Sequence, residues 1–224
     1  MGRPLRTTLG GYVYHVRCKG LQPKGIFRSD ADYIDFLQVL MEASPRFDAR
    51  LIGFCCLPNG WHMLVIPRRD GDLSKLIAWI TITHSARWHL KPRRAASGGL
   101  YERRFKSFPV QDDQSVLDML RFLESHVVPH TEDHPWRWCS AALRANADPE
   151  LQQFTFLSMP PVPIPNDWSR QLRKQMEPEL LAAIENCLKR GCPFGKPDWV
   201  ERIAARMHLE STLRARGRPR LAGD

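Results

Sequence analysis

Residues 49–66 read Ala49-Arg50-Leu51-Ile52-Gly53-Phe54-Cys55-Cys56-Leu57-Pro58-Asn59-Gly60-Trp61-His62-Met63-Leu64-Val65-Ile66. Two apolar runs, Ala49–Leu57 and Trp61–Ile66, flank Pro58-Asn59-Gly60, a turn signature, so the stretch predicts a β-hairpin. Upstream, Gly11–Cys18 alternates, with Tyr12, Tyr14 and Val16 on one side and Val13, His15 and Arg17 on the other. That period of two predicts a strand. Between them, Ser29-x-x-Asp32 resembles a capping box and opens a helix through Phe47, with Ile34, Leu37 and Met41 as apolar positions. Pro45 is expected to disturb its end.

Downstream of the hairpin, Asp72–Leu90 predicts a helix with Leu73, Leu76, Ile80 and Thr83 on one face. Residues 92–99 form a basic, glycine-containing loop. Leu100–Val110 predicts a strand, and Asp112–Val127 a helix packing Val116, Leu120, Leu123 and Val127. The order β-α-β-β-α-β-α matches, in its first six elements, the ferredoxin-like split βαβ pattern. The fold class expected is therefore α+β: an antiparallel βαββαβ sheet with helices on one face, plus a C-terminal helical extension.

After Pro135 the character changes. Residues 141–176 read as a linker, proline-rich at 158–166 (SMPPVPIPN). Pro178–Lys189 and Pro197–Leu209 predict two short helices joined by Gly-Cys-Pro-Phe-Gly. The pair is too small to bury much surface alone, so it is expected to dock on the main domain or on DNA. Residues 177–209 make this extension, and 210–224 a basic tail.

The 224 residues suffice for a core without disulfide staples. Hydrophobic residues are 43% and charged residues 25%, the composition of a soluble globular chain. No apolar run approaches the roughly 20 residues of a membrane helix, and MGRPLRTTLGG has no apolar signal region. The six cysteines, Cys18, Cys55, Cys56, Cys139, Cys187 and Cys192, form no CxxC pair and read as reduced thiols of a cytosolic protein.

Thirty-three Lys and Arg against 24 Asp and Glu give a net charge of +9. The excess is concentrated. Residues 1–28 hold Arg3, Arg6, Arg17, Lys19, Lys24 and Arg28 with no acid. Residues 84–110 hold Arg87, Lys91, Arg93, Arg94, Arg103, Arg104 and Lys106 against Glu102 alone. Three stretches of one sign, counting the tail, favour a polyanionic partner over a merely solvated face.

Few residues carry obvious chemistry. A strand places positions two apart on one face, so a His-x-His pair could chelate a metal there, but the first such position is Gly60 and only His62 remains. His62 is then a ligand or a structural histidine. His15 could neighbour it across the sheet, and a satisfied sheet histidine is the simpler expectation. Phe122 and His126, four apart, share a helix face. His126 could bind metal or accept a proton, while Phe122 has no hydroxyl. Arg216-Gly217-Arg218-Pro219-Arg220 resembles an AT-hook, suited to an A·T-rich minor groove. Cys187-x4-Cys192 lacks a histidine partner and reads as structural.

Several segments together resemble one family. They are Gly11–Val16, Ile26-Phe27-Arg28-Ser29-Asp30 with Asp32-Tyr33 and Phe36-Leu37, Leu57–Val65, Arg103–Val110, and Glu132-Asp133 with Pro135–Ser140. Arg190–Gly195 and Leu209–Arg214 extend the likeness over nearly the whole chain. The chain resembles the REP-associated tyrosine transposases, a branch of the HUH single-strand DNA transposases (insertion-sequence 200-like). The resemblance makes residues 1–140 the transposase-like domain. It implies a His-x-His metal pair, a helix tyrosine attacking a DNA phosphate, one Mg²⁺ or Mn²⁺ polarising that phosphate, and single-stranded DNA near an imperfect hairpin as substrate.

Carried over by position, the first metal histidine falls on Gly60, the second on His62, the nucleophile on Phe122 and the polar residue four later on His126. No tyrosine follows Tyr101. The expectation is a catalytically impaired DNA-binding protein, cytoplasmic and nucleoid-associated, binding single-stranded or hairpin DNA of repetitive elements. Its contacts would come from Arg3, Arg17, Arg87, Arg93, Arg94, Arg104, Lys106, Arg216, Arg218 and Arg220, with Trp61, Trp88 or Phe105 stacking on unpaired bases. The alternative is an active endonuclease with metal on His62 and His126 and a different nucleophile. The cofactor is Mg²⁺, Mn²⁺ or none.

Overall fold

The computed structural model describes residues 8–91, 98–102, 104–126 and 136–214. Strands β1 (Val13–Lys19), β2 (Ala49–Leu57), β3 (Gly60–Pro67) and β4 (Lys106–Val110) form one antiparallel sheet of order β2-β3-β1-β4. The hairpin is present, with Leu57 opposite Gly60 across the turn. Helices α1 (Asp30–Phe47) and α2 (Asp72–Leu90) make the two crossovers. Next come α3 (Gln114–Arg121), a π-helical turn (Phe122–His126), α4 (Ser140–Ala145) and α5 (Trp168–Leu172). The chain ends in α6 (Pro178–Arg190), α7 (Pro197–Arg206) and α8 (Glu210–Leu213).

Helices cover both faces of the sheet, not one as expected from sequence. On the first face, Tyr14, Val16, Cys18, Phe54, Cys56, Trp61, Met63 and Val65 pack against α1 and α2. On the second, Val13, Ile52, Cys55, Leu64, Phe108 and Val110 pack against α3, α5 and α6. The cause is in the strands themselves. β2 and β3 are buried along almost their whole length, and a strand apolar on both sides needs cover on both sides. At the β2 bulge between Leu51 and Gly53, an added Cβ on Gly53 would lie 2.4 Å from Leu120 Cδ2. The bare glycine therefore lets α3 lie close against the sheet.

Other departures are local. The buried stripe of α1 is Tyr33, Phe36, Leu37, Leu40 and Ala43, whereas Ile34 and Met41 flank it. Pro45 sits inside the last turn and the helix runs on to Phe47. Asp32 does reach back as in a capping box, accepting from the Arg28 N–H at 2.8 Å, but the Ser29 side chain makes no cap bond. The last strand is shorter than expected. Its first half survives as a single bridge between Tyr101 and Gly20, extended by the Glu102 N–H donating to the Lys19 carbonyl at 2.9 Å.

Residues 141–176 contribute Leu143, Leu151, Phe154, Phe156, Trp168, Leu172 and Met176 to the two cores. Ser158 donates its N–H to Leu51 at 2.7 Å and so covers the β2 edge. The opposite edge is covered by Phe194, which donates to Pro109 and accepts from Gln111, both at 2.9 Å. The terminal helices thus dock on the main domain. Among the described residues no helix is long and apolar enough to cross a membrane. All six cysteines are buried free thiols.

Candidate nucleic-acid interface

The second sheet face grades from apolar to cationic along β1. Val13 lies under α3, His15 follows, and Arg17 and Lys19 continue the same side toward the strand end. β4 does likewise through Val110, Phe108 and Lys106, and β3 through Leu64 and His62.

The histidines mark the boundary. His15 Nε2 lies 3.1 Å from His62 Nδ1, and the His15 ring stacks on Phe108 at 4.8 Å between centroids. They are 1% and 5% exposed. Burial, with Arg17 adding to it, pushes His62 down to about 3. Burial pushes His15 well below its ordinary value, with smaller contributions from His62 and Arg17. Both rings are neutral near pH 7, and one donates its single N–H to the other. The neighbour relation expected from sequence is thus present, in the form of a satisfied sheet pair.

Arg17 stands in register between His62 on β3 and Lys106 on β4. Arg17, Lys19, Arg104 and Lys106 line one cleft together with Glu102. Glu102 is engaged by Lys19 at 3.7 Å. Among the described residues, Arg17, Arg104 and Lys106 have no carboxylate at ion-pair distance. Like charges directly opposite on adjacent strands are unfavourable without a counter-charge, and a cleft that gathers them is built for an anion. Lys19 and Glu102 were not singled out from sequence as site residues. The signals were there: Lys19 shares the face of Arg17 two residues earlier, and Glu102 is the one acid in a basic stretch.

Other expected contacts lie elsewhere. Arg87 grips Glu42 of α1 with two hydrogen bonds, of 3.0 and 2.7 Å, in the α1/α2 layer. Trp61 and Trp88 are 0% and 1% exposed, which removes both as stacking platforms. Their indole N–H groups donate to the Tyr101 hydroxyl and the Ile26 carbonyl. Phe105 is partly buried against the first core. Arg3, Arg93, Arg94, Arg216, Arg218 and Arg220 lie outside the described residues, as does the side chain of His126.

The position matched to the nucleophile is a core residue. Phe122 is 5% exposed and belongs to the same apolar cluster as Phe108 and Leu64. Tyr101 is no substitute. Its hydroxyl is held by Trp61 and His84 in the first-face core, on the opposite side of the sheet from His62. Burial raises its pKa well above the ordinary value.

Sequence reading also missed a polar cluster beside Phe122. The π-helical turn carries Glu124 inward, where it is 2% exposed. Its carboxylate accepts from Ser140, from Arg144, and from Trp168 Nε1 at 2.8 Å. Each acceptor oxygen has a donor, so the cluster ties the turn to α4 and α5.

Of the metal ligands that the resemblance implies, His62 is described and the side chain of His126 is not. Gly60 offers no ligand, and His62 Nδ1 is taken up by His15. No cluster of three or more His, Cys, Asp or Glu able to hold a metal occurs among the described residues.

No family model matches the chain, and no curated protein matches it. Among solved structures, it is similar to a REP-associated tyrosine transposase bound to a REP hairpin, at 12% identity and a TM-score of 0.46 over 55% of this chain and 70% of the other.

Proposed function

We propose that this chain is a ferredoxin-like, transposase-like protein that binds single-stranded or hairpin DNA of repetitive elements and has lost tyrosine-based cleavage. The carrying observation is the cleft in which Arg17 and Lys106 face each other across β1 and β4 with Arg104 beside them. Phosphate oxygens supply the charge those side chains lack, and phosphate contacts position a strand without reading its sequence. The cleft suits a single backbone, since it is confined to the end of one sheet face. The tail arginines, Arg216, Arg218 and Arg220, add minor-groove contacts in this reading. Loss of chemistry rests on Phe122, which can neither attack a phosphate nor transfer a proton.

Labelled single-stranded DNA with an imperfect hairpin, incubated with the protein and Mg²⁺ or Mn²⁺, tests both halves. A shifted band on a native gel with intact DNA on a denaturing gel is expected. A covalent protein–DNA band, or cleavage, would instead establish an active endonuclease with a nucleophile other than Phe122. Absence of any shift at low salt would remove the binding role.

A further inference from the structure

We propose that Cys187 and Cys192 form an oxidisable dithiol, which a peroxide converts to a disulfide that fastens the segment covering the β4 edge to the end of α6. The two sulfurs are already in contact at 3.4 Å. Cys187 lies in the last turn of α6, and Gly191 ends that helix in the left-handed conformation at φ 76°. This reversal turns Cys192 back toward Cys187. The next residues then run beside β4, where Phe194 bonds Pro109 and Gln111. The pair therefore sits at the joint between a helix and the sheet edge.

The surroundings give the two thiols different roles. The Asn186 amide donates to Cys192 Sγ at 3.7 Å, and Cys187 Sγ donates to the Pro193 carbonyl at 3.6 Å. Cys192 Sγ is the donor in the contact with Cys187, and its thiol is lowered, first by that hydrogen-bond relation and then by smaller effects that include the nearby Arg190. Cys187 is raised, first by its hydrogen-bond relation to Cys192 and then by burial. Cys192, whose sulfur accepts from the Asn186 amide, is the nucleophile, and Cys187, whose S–H is held by the Pro193 carbonyl, is the resolving thiol, the arrangement that makes a cysteine redox-sensitive. By contrast, burial raises Cys55, Cys56 and Cys139, and none of them has a thiolate available near neutral pH. At 5% and 4% exposure, Cys187 and Cys192 admit only a small oxidant.

The chemistry balances with a peroxide as oxidant. The Cys192 thiolate attacks one peroxide oxygen, the O–O bond breaks, and the departing alkoxide or hydroxide takes up the proton that Cys192 released on ionising. Cys192 is then a sulfenic acid. Cys187 attacks its sulfur, the S–S bond forms, and the hydroxyl leaves with the Cys187 proton as water. Two thiols are oxidised by two electrons and one peroxide is reduced.

The test treats the full chain with graded hydrogen peroxide, blocks remaining thiols with an alkylating agent after denaturation, and maps peptides by mass spectrometry. Cys187 and Cys192 are expected to lose alkylation together and to appear as one linked pair, while Cys55, Cys56 and Cys139 stay alkylated. In Cys187→Ser, Cys192 should be trapped as a sulfenic acid by a 1,3-dione. In Cys192→Ser, Cys187 should stay reduced. In the oxidised wild-type chain, amide exchange at Phe194 and Gln111 should slow about tenfold as the joint stiffens. The proposal is overturned if both thiols remain alkylatable at peroxide levels that fully oxidise glutathione, or if the disulfides formed join other cysteines. The wild-type mapping decides the matter even where a serine variant folds poorly.

Discussion

At Gly60 the hairpin backbone comes so close to β1 that an added Cβ would lie 2.5 Å from the Cys18 carbonyl oxygen, at φ +156°. In the fold Gly60 is a close-approach position that excludes side chains. Gly60→His is therefore expected to destabilise by about 1–3 kcal/mol and to bind no metal, which a urea titration with and without Mn²⁺ would check. The His15–His62 pair carries a second residue-scale prediction. Both histidines have native pKa values below the unfolded value, His62 at about 3. The unfolded chain therefore binds more protons below about pH 6.5, and stability falls as pH drops from there toward the native values. At pH 5 His62 should cost about 2 kcal/mol relative to pH 7, with His15 acting in the same direction. Urea unfolding at the two pH values should show this, and His62→Asn should flatten the dependence.

A π-helical turn follows α3. Val116, Leu120 and Leu123 fit an α-helical period, and all three are buried as that period predicts. The widened turn at Phe122–His126 leaves no trace in such a pattern, because it depends on what Glu124 meets. Glu124 meets Ser140, Arg144 and Trp168 from segments 16, 20 and 44 residues away. Removing one partner strands a buried charge. Arg144→Met should cost about 3–5 kcal/mol, and Glu124→Gln in the same background should recover part of the loss. Equilibrium unfolding of the single and double variants measures both. An additive double variant would show that the pair is uncoupled.

Across the whole molecule the positive charge divides between structure and surface. Arg87 is spent on Glu42, and Lys91 on Asp32 and Asp35. Arg17, Arg104 and Lys106 remain turned to one cleft. The slope of log affinity against log salt for single-stranded DNA should therefore fall by about 0.7 in each of Arg17→Gln and Lys106→Gln. Arg87→Gln should leave the slope unchanged. An equal fall in all three would mean that the cleft has no special role.

Periodicity and turn chemistry are local, and they were legible. Strand–helix order, the Pro58-Asn59-Gly60 turn and the start of the α2 face at Leu73, Leu76 and Ile80 follow from neighbours within a few residues, whereas the α2 face continues through His84 and Trp88 rather than the expected Thr83. Also legible were the lack of a hydroxyl at Phe122 and the basic balance of the chain. Only the tertiary structure decided which faces of the sheet were covered, since that depends on a C-terminal half whose prolines resemble a linker yet supply core residues such as Phe154, Phe156 and Trp168. It also decided, among the described residues, which cations meet a carboxylate and which do not. A charge run records sign along the chain, whereas an ion pair is set by distances between residues such as Glu42 and Arg87 that lie far apart in sequence and meet only when α1 packs on α2.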